Sequence, residues 1–87
     1  MATIILSHDV ENFDSWKPYY EADSSRREEA GFKELAVGTH SNDPKKVFMI
    51  WQGDPVKVEK MLQDPELAKI MKEAGVKSTP EVTIINS

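Results

Sequence analysis

The residues with the most chemistry in this sequence are few: His8, Trp16, Tyr19, Tyr20, Asp23, Arg27, His40 and Trp51. His8 carries the side chain whose charge changes nearest neutral pH. It could act as a general acid or base, or ligate haem iron; the plainer role for a lone histidine at a strand end is a structural hydrogen bond. The others are grouped by spacing. At about 100° per residue on a helix, Trp16, Tyr19, Tyr20, Asp23, Arg27 and Ala30 fall within roughly a third of the circumference. Asp23 and Arg27 then stand four residues apart inside an otherwise apolar stripe, a separation at which they could pair. A charged pair on a packing face is costly unless it is satisfied or wet. Either this is a polar patch in a pocket walled by Trp16 and Tyr20, or the helix overhangs its sheet and its second half is solvated. Trp51, with Met49 on the same strand face, could stack on a planar ligand or simply fill the core. Tyr19 and Tyr20 could orient a phenol or quinone oxygen. His40, beside a turn, reads as solvated.

Much else is excluded. The chain has no cysteine, hence no thiolate nucleophile, no disulfide and no zinc site of the Cys type, which suits a reducing, cytoplasmic setting. No His and carboxylate cluster has metal-ligand spacing, and neither a P-loop nor a Gly-x-Gly-x-x-Gly run is present, so no metal, nucleotide or other tightly bound cofactor is expected. Fifteen Asp and Glu outweigh eleven Lys and Arg, giving a net charge of -4, and the basic residues are scattered among acids. A nucleic-acid binder needs a basic stripe against phosphates, so that class is set aside. No apolar run has signal-peptide length or the roughly 20 residues that span a bilayer, so no membrane partner is expected.

Eighty-seven residues make a single domain, 1–87, with a modest core. Thr3 to Val10 is β-branched and reads as a strand. Asn12 or Asp14 caps a long helix running to about Ala30, with Pro18 in its first turn and Gly31 at the C′ position. Phe32 to His40 and Lys46 to Gln52 form a hairpin across the turn cluster Ser41-Asn42-Asp43-Pro44. Asp54-Pro55 and Asp64-Pro65 each place a cap before a helix-starting proline, so the next helical region is two pieces, about 55–63 and 65–74. In the second, Leu67, Ile70, Met71 and Ala74 recur at helical spacing and mark its buried face. Gly75 ends it, and Glu81 to Asn86 is a last strand. The order β-α-β-β-α-β predicts an α+β, ferredoxin-like fold: a four-stranded antiparallel sheet with helices on one face.

A sheet wet on one face should alternate apolar and polar residues. These strands do not. Val47, Met49 and Trp51 oppose Phe48 and Ile50; Ile4 and Leu6 oppose Ile5; Val82 and Ile84 oppose Ile85; Leu35 and Val37 oppose Ala36 and Gly38. Helices can cover one of these faces. The other needs a partner, and a two-fold homodimer is the economical one.

One family shares this pattern. His8-Asp9-Val10, Phe13, Trp16-Lys17, Gly31, Asn42-Asp43-Pro44, Trp51, Asp64-Pro65-Glu66-Leu67, Ala74-Gly75-Val76 and Pro80-Glu81, spread over nearly the whole chain, resemble small bacterial members of the dimeric α+β barrel superfamily related to antibiotic biosynthesis monooxygenases. The resemblance implies a barrel closed by two sheets across a dimer, with ligands between sheet and helices. It implies a choice of activities: cofactor-free oxygenation of polyphenols, haem degradation, polyketide cyclisation, muconolactone-type isomerisation, or none. Haem-degrading members carry their axial histidine on a helix, and no helix here contains one. The cofactor-free oxygenases often place an asparagine and a tryptophan near the substrate, whereas this first strand carries His8 and no asparagine. Two functions stay open. In one the protein is a cofactor-independent oxygenase, cyclase or isomerase of an aromatic or polyketide-like molecule, with His8 handling the proton, Trp16 and Trp51 holding the ring, and Arg27 or Tyr20 steadying negative charge. In the other it is a non-catalytic dimeric module that binds a small apolar ligand.

Overall fold

The computed structural model describes residues 2–86, so Met1 and Ser87, the ends of the expected 1–87 domain, lie outside the described residues. The chain runs β1 (Ala2–Asp9), α1 (Phe13–Ala22), α2 (Ser24–Glu29), β2 (Lys33–His40), β3 (Asp43–Gly53), α3 (Pro55–Leu62), α4 (Pro65–Glu73) and β4 (Glu81–Asn86). The sheet order is β2-β3-β1-β4 with every neighbouring pair antiparallel, the ferredoxin-like arrangement.

Register sorts the side chains into rows that share a face. On the helix side, Ile84, Ile4, Trp51 and Glu34 make one row, and Val82, Leu6, Met49 and Val37 the next. His8, Val47 and Thr39 form the third. Ile4, Leu6, Val47, Met49 and Trp51 are buried there with Val10, Trp16, Tyr20, Phe32, Val58, Met61 and Ala74. The opposite face carries Thr83, Ile5, Ile50 and Ala36 in one row, and Glu81, Ser7, Phe48 and Gly38 in another. Ile5, Phe48 and Ile50 are half-buried and Ile85 is 48% exposed, so apolar side chains do occupy both faces. Leu35 departs from the simple alternation: a register shift between Glu34 and Ala36 makes it an inserted residue, and Glu34 takes the helix-side position opposite Trp51.

The helix caps follow the sequence closely. Asn12 accepts from the Ser15 N–H, and Asp54 and Asp64 accept from Val56 and Glu66, with Pro55 and Pro65 opening each helix. Gly31 (φ 81°) and Gly75 (φ 86°) adopt the left-handed conformation expected past a helix end. Gly53 is required for a different reason. A Cβ there would stand 2.5 Å from the Phe32 ring, which packs against Trp51.

Several expectations change. The long helix is two, because Asp23 leaves helical geometry (φ -93°, ψ 12°) at the start of Asp-Ser-Ser, residues that favour local backbone bonding over helix interiors. With Asn12 as the cap, Pro18 lies inside α1 and not in its first turn; its missing N–H falls on the exposed side. Strand β2 starts at Lys33 rather than Phe32. The third strand begins at Asp43, so only Ser41 and Asn42 remain in the turn. In α4, Leu67, Ile70 and Met71 are half-buried rather than buried, and Ala74 just beyond it is buried.

Candidate functional site

Between the sheet and the helix layer lies a cleft of about 60 Å³, lined by His8, Leu6, Met49 and Trp51 from the sheet and by Trp16, Tyr19, Tyr20, Asp23 and Arg27 from α1 and α2. Met61, Leu62, Leu67, Ile70, Met71 and Ala74 close it from the α3–α4 side, and Pro80 from the chain leading into β4. The segment after α4 is pinned to the end of β1. Val10 bridges to Val76, Lys77 donates its N–H to Asp9, and the Asp9 N–H donates to Ser78 Oγ. These ties hold Ala74 and Pro80 over the end of the strand that carries His8.

Of the eight residues singled out in the sequence, seven, His8, Trp16, Tyr19, Tyr20, Asp23, Arg27 and Trp51, line this one cleft, and His40 does not. His8 faces the helices, its ring edge-on to Trp16 with centroids 5.5 Å apart. Its Nδ1 is buried without a hydrogen-bond partner, so the imidazole does not have the satisfied role usual for a buried histidine. Burial pushes its pKa below the ordinary 6.5, pulled back in part by its own backbone and by the charge of Asp9. At neutral pH the ring is therefore an uncharged base.

Tyr20 belongs to a chain of donors. Trp51 Nε1–H donates to the Tyr20 hydroxyl (3.0 Å), which donates to Glu34 Oε1 (2.8 Å). Burial and the Glu34 carboxylate push its pKa up to about 12, so Tyr20 keeps its proton and fixes Trp51 rather than exchanging protons. Trp16 stacks on Tyr20 at 5.0 Å.

The expected Asp23–Arg27 pair does not form. The break at Asp23 shifts its carboxylate to the residue three places on: Arg26 Nε donates to both Asp23 oxygens (3.2 and 3.1 Å). Arg26 also donates to Asp64, the α4 cap, and reaches Glu66 at 3.6 Å, clasping α2 to α4 across the cleft edge. Arg27 instead sits over Tyr20, its guanidinium carbon 3.7 Å from the ring centroid. Arg26 and Glu34 were not picked out by sequence pattern, and Asp64 was read as a helix cap only, not as a partner of Arg26. Asp23 and Arg26 are three apart, which could have signalled their pairing; Glu34 reaches Tyr20 through a strand irregularity that no spacing announces. His40 is exposed and stays out of the cleft, taking the Asn42 N–H on its Nδ1 and flanking Phe48 on the open sheet face. Tyr19, 42% exposed, stands at the rim.

A family model described as a domain of unknown function (DUF3764) matches residues 1–84. The chain belongs to that family. No curated protein matches a DUF3764 chain of this sequence. Solved structures do. A protein from Bordetella bronchiseptica, provisionally assigned as an antibiotic biosynthesis monooxygenase, superposes with a TM-score of 0.74 at 13% identity, covering 99% of this chain and 95% of that one. An uncharacterised NIPSNAP domain protein from Burkholderia xenovorans gives 0.67 at 11% identity, covering 100% and 94%. A NIPSNAP family protein of unknown function from Agrobacterium tumefaciens gives 0.68 at 12%, covering 98% and 86%. At these identities the likeness shows the fold alone: the DUF3764 chain shares its α+β, ferredoxin-like architecture with these proteins. Among the described residues no helix is long and apolar enough to cross a membrane, and no group of three His, Cys, Asp or Glu could hold a metal ion.

Proposed function

We propose that the protein is a homodimer whose cleft binds a small, ring-bearing, largely apolar molecule, with His8 at the polar end of the site and the whole chain acting as one ferredoxin-like unit. The observation that carries this is the convergence of Trp16, Tyr20, Trp51, Arg27 and an unpartnered buried histidine nitrogen on one apolar cleft. About 60 Å³ suits a few waters or a small apolar group as the cleft stands. Met49, Met61 and Met71 line it, and their unbranched, soft side chains give way to a ring at little cost. The homodimer is supported by the apolar rows of the open sheet face, which no helix of the chain covers.

A catalytic reading, as a cofactor-independent oxygenase, cyclase or isomerase, is supported by one feature: His8 is neutral at working pH with a free nitrogen inside the binding cleft, as a general base must be. No carboxylate orients its ring among the described residues, and Tyr20 is committed to Glu34. Binding is therefore the better supported role, and proton transfer by His8 is a refinement of it.

The test is a fragment screen by NMR on ¹⁵N-labelled protein. Ring-bearing fragments should shift the Trp51 and Trp16 indole N–H signals, and Ala74→Leu, which fills the cleft from a buried wall position, should abolish those shifts while the fold is retained. A screen in which no ring compound moves either indole would reject the cleft as a binding site. If a substrate emerges, turnover undiminished in His8→Ala removes the catalytic reading alone.

A further inference from the structure

Of the two side chains in the cleft lining that are charged at neutral pH, one lacks a partner of opposite charge. Asp23 is gripped through both its oxygens by Arg26, a cation it shares with Asp64 and Glu66. His8 and Tyr20 are uncharged at neutral pH. The remaining charged lining residue is Arg27. Among the described residues no carboxylate forms an ion pair with it, and neither Glu28 nor Glu34, which share its neighbouring recess, pairs with it. Glu34 instead takes the Tyr20 hydroxyl.

Arg27 is also held in place. Its guanidinium carbon sits 3.7 Å from the centroid of Tyr20 and 6.0 Å from that of Trp51, so the cation rests against two aromatic rings. Tyr20 is itself fixed by Trp16, Trp51 and Glu34. A stacked guanidinium keeps its N–H donors at its edge, where they can meet a carboxylate in a two-pronged fashion. A half-buried cation that stacks on the wall of an apolar cleft and has no carboxylate of its own is poised to receive one from a ligand.

We infer that the cleft selects singly charged anions, its ligand being a small aryl carboxylate whose carboxylate docks on Arg27 while its ring enters among Trp16, Tyr20, Trp51 and the methionines. This rests on the ligand-binding reading above and adds the charge of the ligand to it. Neutral rings of the same shape bind more weakly, and cationic ones weakest of all.

The test compares three probes of matched shape, phenylacetate, phenylacetamide and 2-phenylethylamine, titrated by NMR into the wild-type protein, Arg27→Gln and Arg27→Lys, with the two tryptophan indole signals reporting cleft occupancy. Phenylacetate should bind about tenfold more tightly than phenylacetamide in the wild type, as expected for one charge-assisted contact at a partly desolvated site. Arg27→Gln should erase the preference, bringing the phenylacetate and phenylacetamide affinities together, and Arg27→Lys should keep most of it. The retained charge makes the lysine variant informative even if the glutamine variant is poorly folded. Equal affinity for phenylacetate and phenylacetamide in the wild type overturns the charge inference and leaves the cleft-binding reading intact. So does a preference that survives in Arg27→Gln. Failure of all three probes to move either indole overturns both.

Discussion

Both faces of the sheet carry apolar residues, and they differ in what is mixed among them. The helix-side rows contain His8 and Glu34 among Ile4, Leu6, Met49 and Trp51, and the helices add Arg27, Asp23 and Tyr20 over them. The open face has Ile5, Ile50, Phe48, Ala36 and Thr83 at its centre, and its charged groups, Lys33, Lys46, Asp9 and Glu81, stand at strand ends. A buried ionisable group is costly, so it persists where it is used or satisfied; an apolar centre with a charged rim is the composition of a protein interface. On the proposed reading, the contrast puts the chemistry on the covered face and assembly on the open one.

The sharpest way to break that division is to put a charge in the middle of the open face. Ile50→Lys places an ammonium between Ile5 and Ala36 at a half-exposed position that a monomer tolerates. If this face is the dimer interface, the variant loses about 3 kcal/mol of association, roughly a hundredfold in Kd. Native mass spectrometry at micromolar concentration should show a wild-type dimer and a folded Ile50→Lys monomer. A wild-type monomer, or a variant that dimerises as before, removes the interface from this face.

A smaller effect tests the covered side. Arg26→Ala releases Asp23, Asp64 and Glu66 together and opens the edge where α2 meets α4. Arg26 and Asp23 are only 20% and 17% exposed, so the network is less screened than a surface pair. The expected loss is about 1 kcal/mol, a fall in Tm of roughly 5 °C, with dimerisation unaffected. Adding salt should narrow the gap between wild type and variant, since screening weakens the clasp in the wild type alone. Identical melting of the two proteins would show that the clasp contributes nothing to holding the helix layer down.

The contrast between the faces also marks what could be read from the sequence. Element order and caps were legible because each rests on local rules: Asn12, Asp54 and Asp64 cap where their side chains predict, and Gly31 and Gly75 stop helices. The two-faced apolar pattern of β1 and β3 was legible because side chains alternate with a period of two. Helical spacing put Trp16, Tyr20, Asp23 and Arg27 on the stripe that turns out to line the cleft. Their partners were hidden. Whether Asp23 bonds to Arg26 or Arg27 depends on a helix break set by Asp23-Ser24-Ser25, and the Arg26–Asp64 contact spans 38 residues, where no periodicity speaks. Which face His8 takes depended on the register of β1 against β3, a non-local property.

The smallest predicted effect isolates His8, the residue on which the covered face's chemistry depends. Its folded-state pKa is lowered by burial, while the unfolded chain titrates at the ordinary 6.5. Between the two values the unfolded chain takes up a proton that the folded one refuses. The stability associated with neutral His8 is therefore complete above 6.5 and is lost as the pH falls through the lowered folded value. Other groups contribute to the pH dependence of stability, so the useful quantity is a difference. Chemical denaturation of wild type and His8→Gln at about pH 7.5 and about pH 5, at one protein concentration, cancels what they share. The wild type should lose more stability on acidification than the variant. Equal losses would mean that His8 reaches solvent or finds a partner for its proton on the covered face, and the uncharged base at the centre of the catalytic reading would disappear with it. Addition of a cleft-binding carboxylate sharpens the same measurement: an anion beside the imidazole favours its charged form, so the difference between wild type and variant should shrink when the site is filled.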